Sequence, residues 1–185
     1  MNSLITVIVT IVSPPEGAGP SNKKLDFKQY FGRNKRQLIR ITNNDTKCLF
    51  YALELARIFH DEKIINMLKK KGENIPKTFV TRWSFARILK NENRKRELVT
   101  KFMNCAKINP DKNGYGLEYL HKVQDFYDSF YPDMYRIVVI DGFAKVLWKG
   151  PMDRRYKISI LFEDNHFHAL KSIALYFKHK KFCIG

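Results

Sequence analysis

Hydrophobic and polar positions repeat with two different periods along this chain, and the changes of period mark its elements. An apolar run from Leu4 to Val12, rich in Val, Ile and Thr, predicts a β-strand closed by Ser13-Pro14-Pro15 and a Gly-rich turn. The polar, basic stretch from Gly17 to Arg36 suits a connector, and Gln37-Leu38-Ile39-Arg40-Ile41 alternates with period two, predicting a short strand. Leu49, Ala52, Leu53 and Ala56 then recur at helical spacing behind Asn43, Asn44 and Asp45, all acceptable N-cap residues.

From Glu62 to Ile108 the pattern is mostly helical, with Ile64, Ile65 and Leu68 in one run, Phe85, Ile88 and Leu89 in another, and a break near Gly72 and Pro76. A polar loop from Asn109 to Gly116 precedes a helical pattern over Leu117 to Tyr127. Tyr135 to Ile140 and Phe143 to Trp148 read as strands flanking an Asp141-Gly142 turn. After Gly150-Pro151-Met152-Asp153 the last strand, Tyr156 to Phe162, leads on to His166 at its end. A helical middle followed by a small, mainly antiparallel sheet is an α+β fold. The expected organisation is an N-terminal strand and basic linker over 1–36 and one domain over 37–185, compact as a whole.

Composition narrows the classes. At 185 residues and 44% hydrophobic, the chain suits one well-cored domain. An excess of 34 Lys+Arg over 18 Asp+Glu gives a net charge of +16, which favours an acidic partner such as nucleic acid, an anionic membrane or an acidic protein face, though solvated surface lysine explains it equally well. The segment Arg87 to Lys107 carries several of these charges without interleaved aromatics, so a solvated helix face is the preferred reading. Cys48, Cys105 and Cys183 are odd in number and far apart, which assembles neither a disulfide framework nor a zinc site and fits a reducing, intracellular compartment. Cys105 is expected in the core, and Cys183 is a terminal thiol or an orphaned zinc ligand. Trp83 and Trp148 are expected to be packing anchors.

Leu4 to Val12 is too short to span a bilayer and lacks a basic n-region; a cryptic signal peptide is the lesser reading, and no membrane partner is expected. The chain has no phosphate-binding or dinucleotide glycine loop, and His60, His121, His166, His168 and His179 lack HExxH spacing. No cofactor and no metal are expected.

Two segments carry the candidate chemistry. Cys48 opens an apolar helical run, where the positive end of the helix dipole favours a thiolate. His166, at a strand end, is the candidate base. The plainer alternatives are a small buried hydrophobe at Cys48, a strand-end histidine bonded to backbone, and a structural N-cap at Asp45.

The order of these motifs resembles the ovarian-tumour (OTU) family of cysteine proteases, many of them deubiquitinases. The resemblance rests on Asp45, Cys48, Leu49, Phe50 and Ala52, on Gly116-Leu117-Glu118-Tyr119-Leu120, and on Ile158 to Phe167. It implies Cys48 as nucleophile, His166 as base, Asp45 in the oxyanion region, and a ubiquitin-like or other protein substrate. A closer likeness is to the OTU-like segment of family B DNA polymerase proteins from Maverick/Polinton-type mobile elements. It is carried by Pro14 to Gly19, Arg40 to Asp45, Lys149-Gly150-Pro151 and Asp164 to Phe167, with Phe182-Cys183 similar to the start of a following cysteine-pair segment. Polymerase motifs are absent from these residues.

The family commonly places an acid two residues after the histidine, whereas His168 stands there. An imidazole cannot replace a carboxylate in stabilising the imidazolium, so weak or absent activity is expected, with Asp164 or Asn165 as substitute orienting groups. Thr46 and Lys47 replace the family's Gly and Asn, and Lys47 is expected to lower the thiol pKa. The contrasting expectation is a catalytically inactive basic module that binds nucleic acid or a protein partner.

Overall fold

Nearly every residue in the first half of the longest helix faces other protein, and this fixes the architecture. The computed structural model describes residues 33–75, 84–111 and 113–177. The strand expected over 4–12, the turn after it, most of the connector, Pro76, Trp83, His179 and Cys183 lie outside the described residues. Helix α1, Cys48–Lys71, runs 24 residues, and all of 48–58 is buried. A helical segment buried on all sides, with its few charges paired internally, belongs inside a core. It is one continuous element where the sequence pattern suggested separate runs, and it ends at Gly72, whose φ of 70° closes a left-handed C-cap on the Leu68 and Lys69 carbonyls.

Alongside α1 lies a five-stranded sheet in the order β1-β5-β4-β2-β3. Its strands are β1 Leu38–Ile39, β2 Tyr135–Asp141, β3 Val146–Lys149, β4 Tyr156–Glu163 and β5 His166–Leu170. The shorter helices are α2 Phe85–Leu89, α3 Glu92–Cys105, α4 Leu120–Phe130 and α5 Ile173–Tyr176. The fold is α+β, with one departure from a purely antiparallel sheet. β3 folds back on the outer edge of β2, and the return through 150–155 lays β4 parallel to β2 on its other side.

Strand alternation sorts the apolar residues into two layers. Ile137, Val139, Ile158, Ile160, Phe167 and Ala169 join α1 in the main core. Val138, Ile140, Leu161 and Leu170 pack with Ile173 and Tyr176 of α5 on the other face. Covered on both sides, β2 is buried along almost its whole length, which is why it reads as an unbroken apolar run.

Several sequence expectations need correction. The strand predicted over 37–41 shrinks to Leu38–Ile39, because a 3-10 turn over Lys35–Gln37 precedes it and the chain then leaves β5. The Asp141-Gly142 hairpin exists, but Asp141 carries its loop: its Oδ1 accepts from the Phe143 and Lys145 amides, and Ala144 takes a φ of 67°. Phe143 is therefore in the loop and exposed, and β3 starts only at Val146. Cys105 is exposed, since Val99, Phe102, Met103 and Ala106 occupy the buried stripe of its helix. Trp148 packs against the main core and meets the His121 ring edge-on.

Candidate active site at the start of the buried helix

The backbone before α1 is held by Asp45. Its Oδ1 accepts from the Lys47 amide at 3.0 Å and from Asn43 Nδ2 at 2.7 Å, and the Tyr51 hydroxyl donates to Oδ2 at 3.3 Å. Asp45 thus closes a turn one step ahead of the helix, while the N-cap position itself is Lys47, which makes no side-chain cap. That corrects the expected N-cap role and leaves the first-turn amides of α1 without a carboxylate partner. Thr46 Oγ1 donates to the Asp111 carbonyl at 3.2 Å, and Tyr119 donates to Asp111 Oδ2 at 3.0 Å. Asp111 is thereby tied to the segment just before the helix.

Cys48 has no solvent exposure. Burial pushes its thiol up to about 11, and the charge of Asp45 adds to this, while the amides of Phe167, Leu49 and Cys48 itself pull the other way. Desolvation outweighs the helix terminus here, so the lowered pKa expected of a helix-capping thiol beside Lys47 is not found. At neutral pH this sulfur carries its proton.

The Phe167 amide brings the far segment to the thiol. β4 does not carry on to His166 as the sequence suggested. It stops at Glu163, and Asp164 and Asn165 turn the chain with φ values of 52° and 57°, so that His166 opens β5 and pairs across with Glu163. Two successive left-handed residues make a type I′ hairpin, which Asp and Asn tolerate well. Asp164 is consequently exposed at the tip.

His166 and His168 alternate on one side of β5, their ring centroids 4.9 Å apart. His166 Nε2 lies 3.0 Å from the Ile41 carbonyl and therefore donates to it. His168 Nδ1 accepts from the Ile41 amide at 3.2 Å. The two rings thus replace the strand partner that Ile41 loses where β1 parts from β5. His168 Nε2 is buried without a partner, and its pKa is pushed down to about 3 by desolvation, then by His166 and Arg40. It is a neutral imidazole at the position where the resemblance expects an acid.

A carboxylate does stand on this face, at a residue the sequence reading passed over. Glu163 is the cross-strand partner of His166; Arg33 donates to its Oε1 at 2.8 Å, and its Oε2 is buried without a partner. The signal that would have found it is the Asp164-Asn165 pair between two β-patterned runs, a two-residue hairpin signature.

Among the described residues no group of three or more His, Cys, Asp or Glu is arranged to hold a metal ion. No helix among them is long and apolar enough to cross a membrane. No family model matches the chain, and neither a curated protein nor a solved structure matches it.

Proposed function

We propose that this chain is an OTU-like cysteine-peptidase domain of the deubiquitinase type, from the polymerase protein of a Maverick/Polinton-type element, held here in a latent state. The observation that carries the reading is the sulfur of Cys48 at the start of α1, facing the main-chain amide of Phe167 immediately after His166. The segments that the resemblance pairs as nucleophile and base thus adjoin through the backbone. The His166 ring alternates to the side of β5 away from Phe167 and donates to the Ile41 carbonyl, so it must turn before it can take the proton.

In the active arrangement Cys48 Sγ attacks an amide or isopeptide carbonyl carbon while its proton passes to the His166 ring. First-turn amides of α1 hold the oxyanion. Collapse of the tetrahedral intermediate breaks the C–N bond, His166 returns the proton to the departing amine, and water then hydrolyses the thioester. Glu163, not Asp164, is the carboxylate suited to orient His166, because it shares that face and keeps an unused oxygen. With a thiol pKa of about 11, forming the thiolate at pH 7 costs about 5 kcal/mol. The resting domain is therefore slow.

The complete burial of the thiol favours a second reading, a catalytically inactive basic module for nucleic acid or a protein partner. A ubiquitin probe with a C-terminal electrophile separates the two. Slow labelling mapped to Cys48 and abolished by Cys48→Ala supports the peptidase; modification of Cys105 alone, at the rate of a general alkylating agent, rejects it.

A further inference from the structure

Ile41 holds both imidazoles of β5 at once. Its carbonyl accepts from His166 Nε2 at 3.0 Å and its amide donates to His168 Nδ1 at 3.2 Å, so a single residue fixes the two rings from the edge of the strand. The ladder between β1 and β5 ends at Ile39↔Ala169, and beyond it these side-chain bonds join Ile41 to β5. The Ile41 side chain lies in the main core together with Cys48 and Phe167. Ile41 therefore stands at the strand edge with its side chain on the thiol's side of the sheet and its peptide groups on the rings.

A second acceptor for the same N–H waits across the strand. Glu163 pairs with His166 in the ladder, its Oε1 is held by Arg33, and its Oε2 is buried without a partner. A carboxylate is a stronger acceptor for an imidazole N–H than a main-chain carbonyl, yet in the resting fold the ring bonds the carbonyl. Histidine χ1 occupies staggered wells about 120° apart, so one step carries the ring off Ile41. With Nε2–H given to Glu163, Nδ1 is left bare to accept a proton.

We propose that Ile41 is an autoinhibitory strap: while its peptide groups hold His166 and His168, the base is kept off the Cys48 thiol, and lifting Ile41 passes His166 Nε2–H to Glu163 and turns Nδ1 to the sulfur. This rests on the peptidase reading and supplies the step by which the site leaves its latent state. On release the thiol proton moves to Nδ1, leaving a thiolate and an imidazolium that Glu163 stabilises, and no further reactant takes part. A substrate captures the released form, so the population of that form sets the resting rate. His168 acts through the strap and not on the substrate, which makes it a positioning residue.

Alkylation of Cys48 by chloroacetamide in the full chain, mapped by mass spectrometry with exposed Cys105 as internal standard, tests the strap. His168→Leu removes the acceptor of the Ile41 amide, and the rate at Cys48 should rise roughly tenfold. His168→Asn keeps an acceptor and should return the rate most of the way to that of the parent chain. In His166→Gln/His168→Leu the gain should vanish, since no imidazole is left to take the thiol proton. An equal rate in His168→Leu and the parent, or a gain that survives the loss of His166, overturns the strap. The electrophilic ubiquitin probe tells its failure from that of the peptidase reading. Probe labelling of Cys48 at one rate in the parent and in His168→Leu keeps the peptidase and overturns the strap. A His166-dependent gain toward chloroacetamide, with no probe labelling in any variant, keeps the strap and rejects the ubiquitin-type substrate. Should His168→Leu not fold, hydrogen exchange of the parent decides. The Ile41 amide should open with the same equilibrium constant that gates Cys48 alkylation, and exchange through global unfolding alone overturns the strap.

Discussion

His168 shows how one position can carry opposite meanings in a sequence and in a fold. In the chain it looks like a defect at the place of an orienting acid; in the structure it is a buried acceptor that completes the hydrogen bonding of the Ile41 amide. Its folded pKa of about 3 lies below the 6.5 of a free histidine, so on acidification the unfolded chain binds this proton first. The stability it contributes is complete above pH 6.5 and drains away as pH falls toward 3. At pH 5 the loss from this one residue is about 2 kcal/mol. His168→Asn keeps an acceptor for the Ile41 amide but does not titrate, so urea midpoints measured from pH 7 to pH 4.5 should fall less steeply in the variant. Equal slopes in both proteins would show that the ring is charged or solvated in the fold.

At the scale of elements, α1 holds both the most legible and the least legible features. Its apolar spacing around Leu49, Leu53 and Ala56 made it readable, but the same helix buries Glu54, Arg57 and Asp61, which look like surface positions in a sequence. Arg57 pairs with Glu54 at 2.7 Å and with Asp61 at 2.5 Å, and hydroxyls from elsewhere finish the network: Tyr127 donates to Glu54 and Tyr135 to Asp61. No local pattern announces partners more than seventy residues away. Hairpin signals show a milder version of this limit: Asp141-Gly142 and Asp164-Asn165 both turn the chain, but the second lacks a glycine and sits within an apolar run that reads as one strand.

The network carries two acids against one base, so burial pushes Asp61 up to about 6 despite Arg57. A raised acid titrates in the opposite sense to His168. Between the free value near 3.8 and about 6 the unfolded chain releases this proton while the fold keeps it, so Asp61 takes away about 3 kcal/mol as pH rises through that window. Asp61→Asn should remove that slope and leave Tyr135 an acceptor. Arg57→Leu, which strands two buried carboxylates, should cost about 3–5 kcal/mol at pH 7. Denaturant titrations of both variants at pH 4 and pH 7.5 check the pair: Arg57→Leu should be much the less harmful at pH 4, where its orphaned acids take up protons.

For the whole molecule, the question is how a thiol with no solvent exposure could serve any substrate, and the answer lies in how the fold opens. Segment 43–47 and loop 109–111 flank the start of α1 as a cover to be lifted from Cys48, and they are held by side-chain bonds of Asn43, Asp45, Thr46, Tyr115 and Tyr119 rather than by strand pairing. Such a cover can lift while β2, β4 and α1 remain packed. Exposed Cys105 should react with a small thiol reagent at its intrinsic rate, and Cys48 only during openings. A local opening of about 4 kcal/mol would slow Cys48 by roughly 10³-fold, each 1.4 kcal/mol being tenfold. Site-resolved mass spectrometry of labelling in increasing urea below the unfolding transition distinguishes the two functional readings. A latent peptidase site gives a Cys48 rate nearly independent of urea, because lifting a short cover exposes little surface, and Thr46→Val should quicken it by loosening that cover. An inert core cysteine gives a rate climbing with the full denaturant dependence of global unfolding, and in that event the thiol has no route to a substrate in the folded protein.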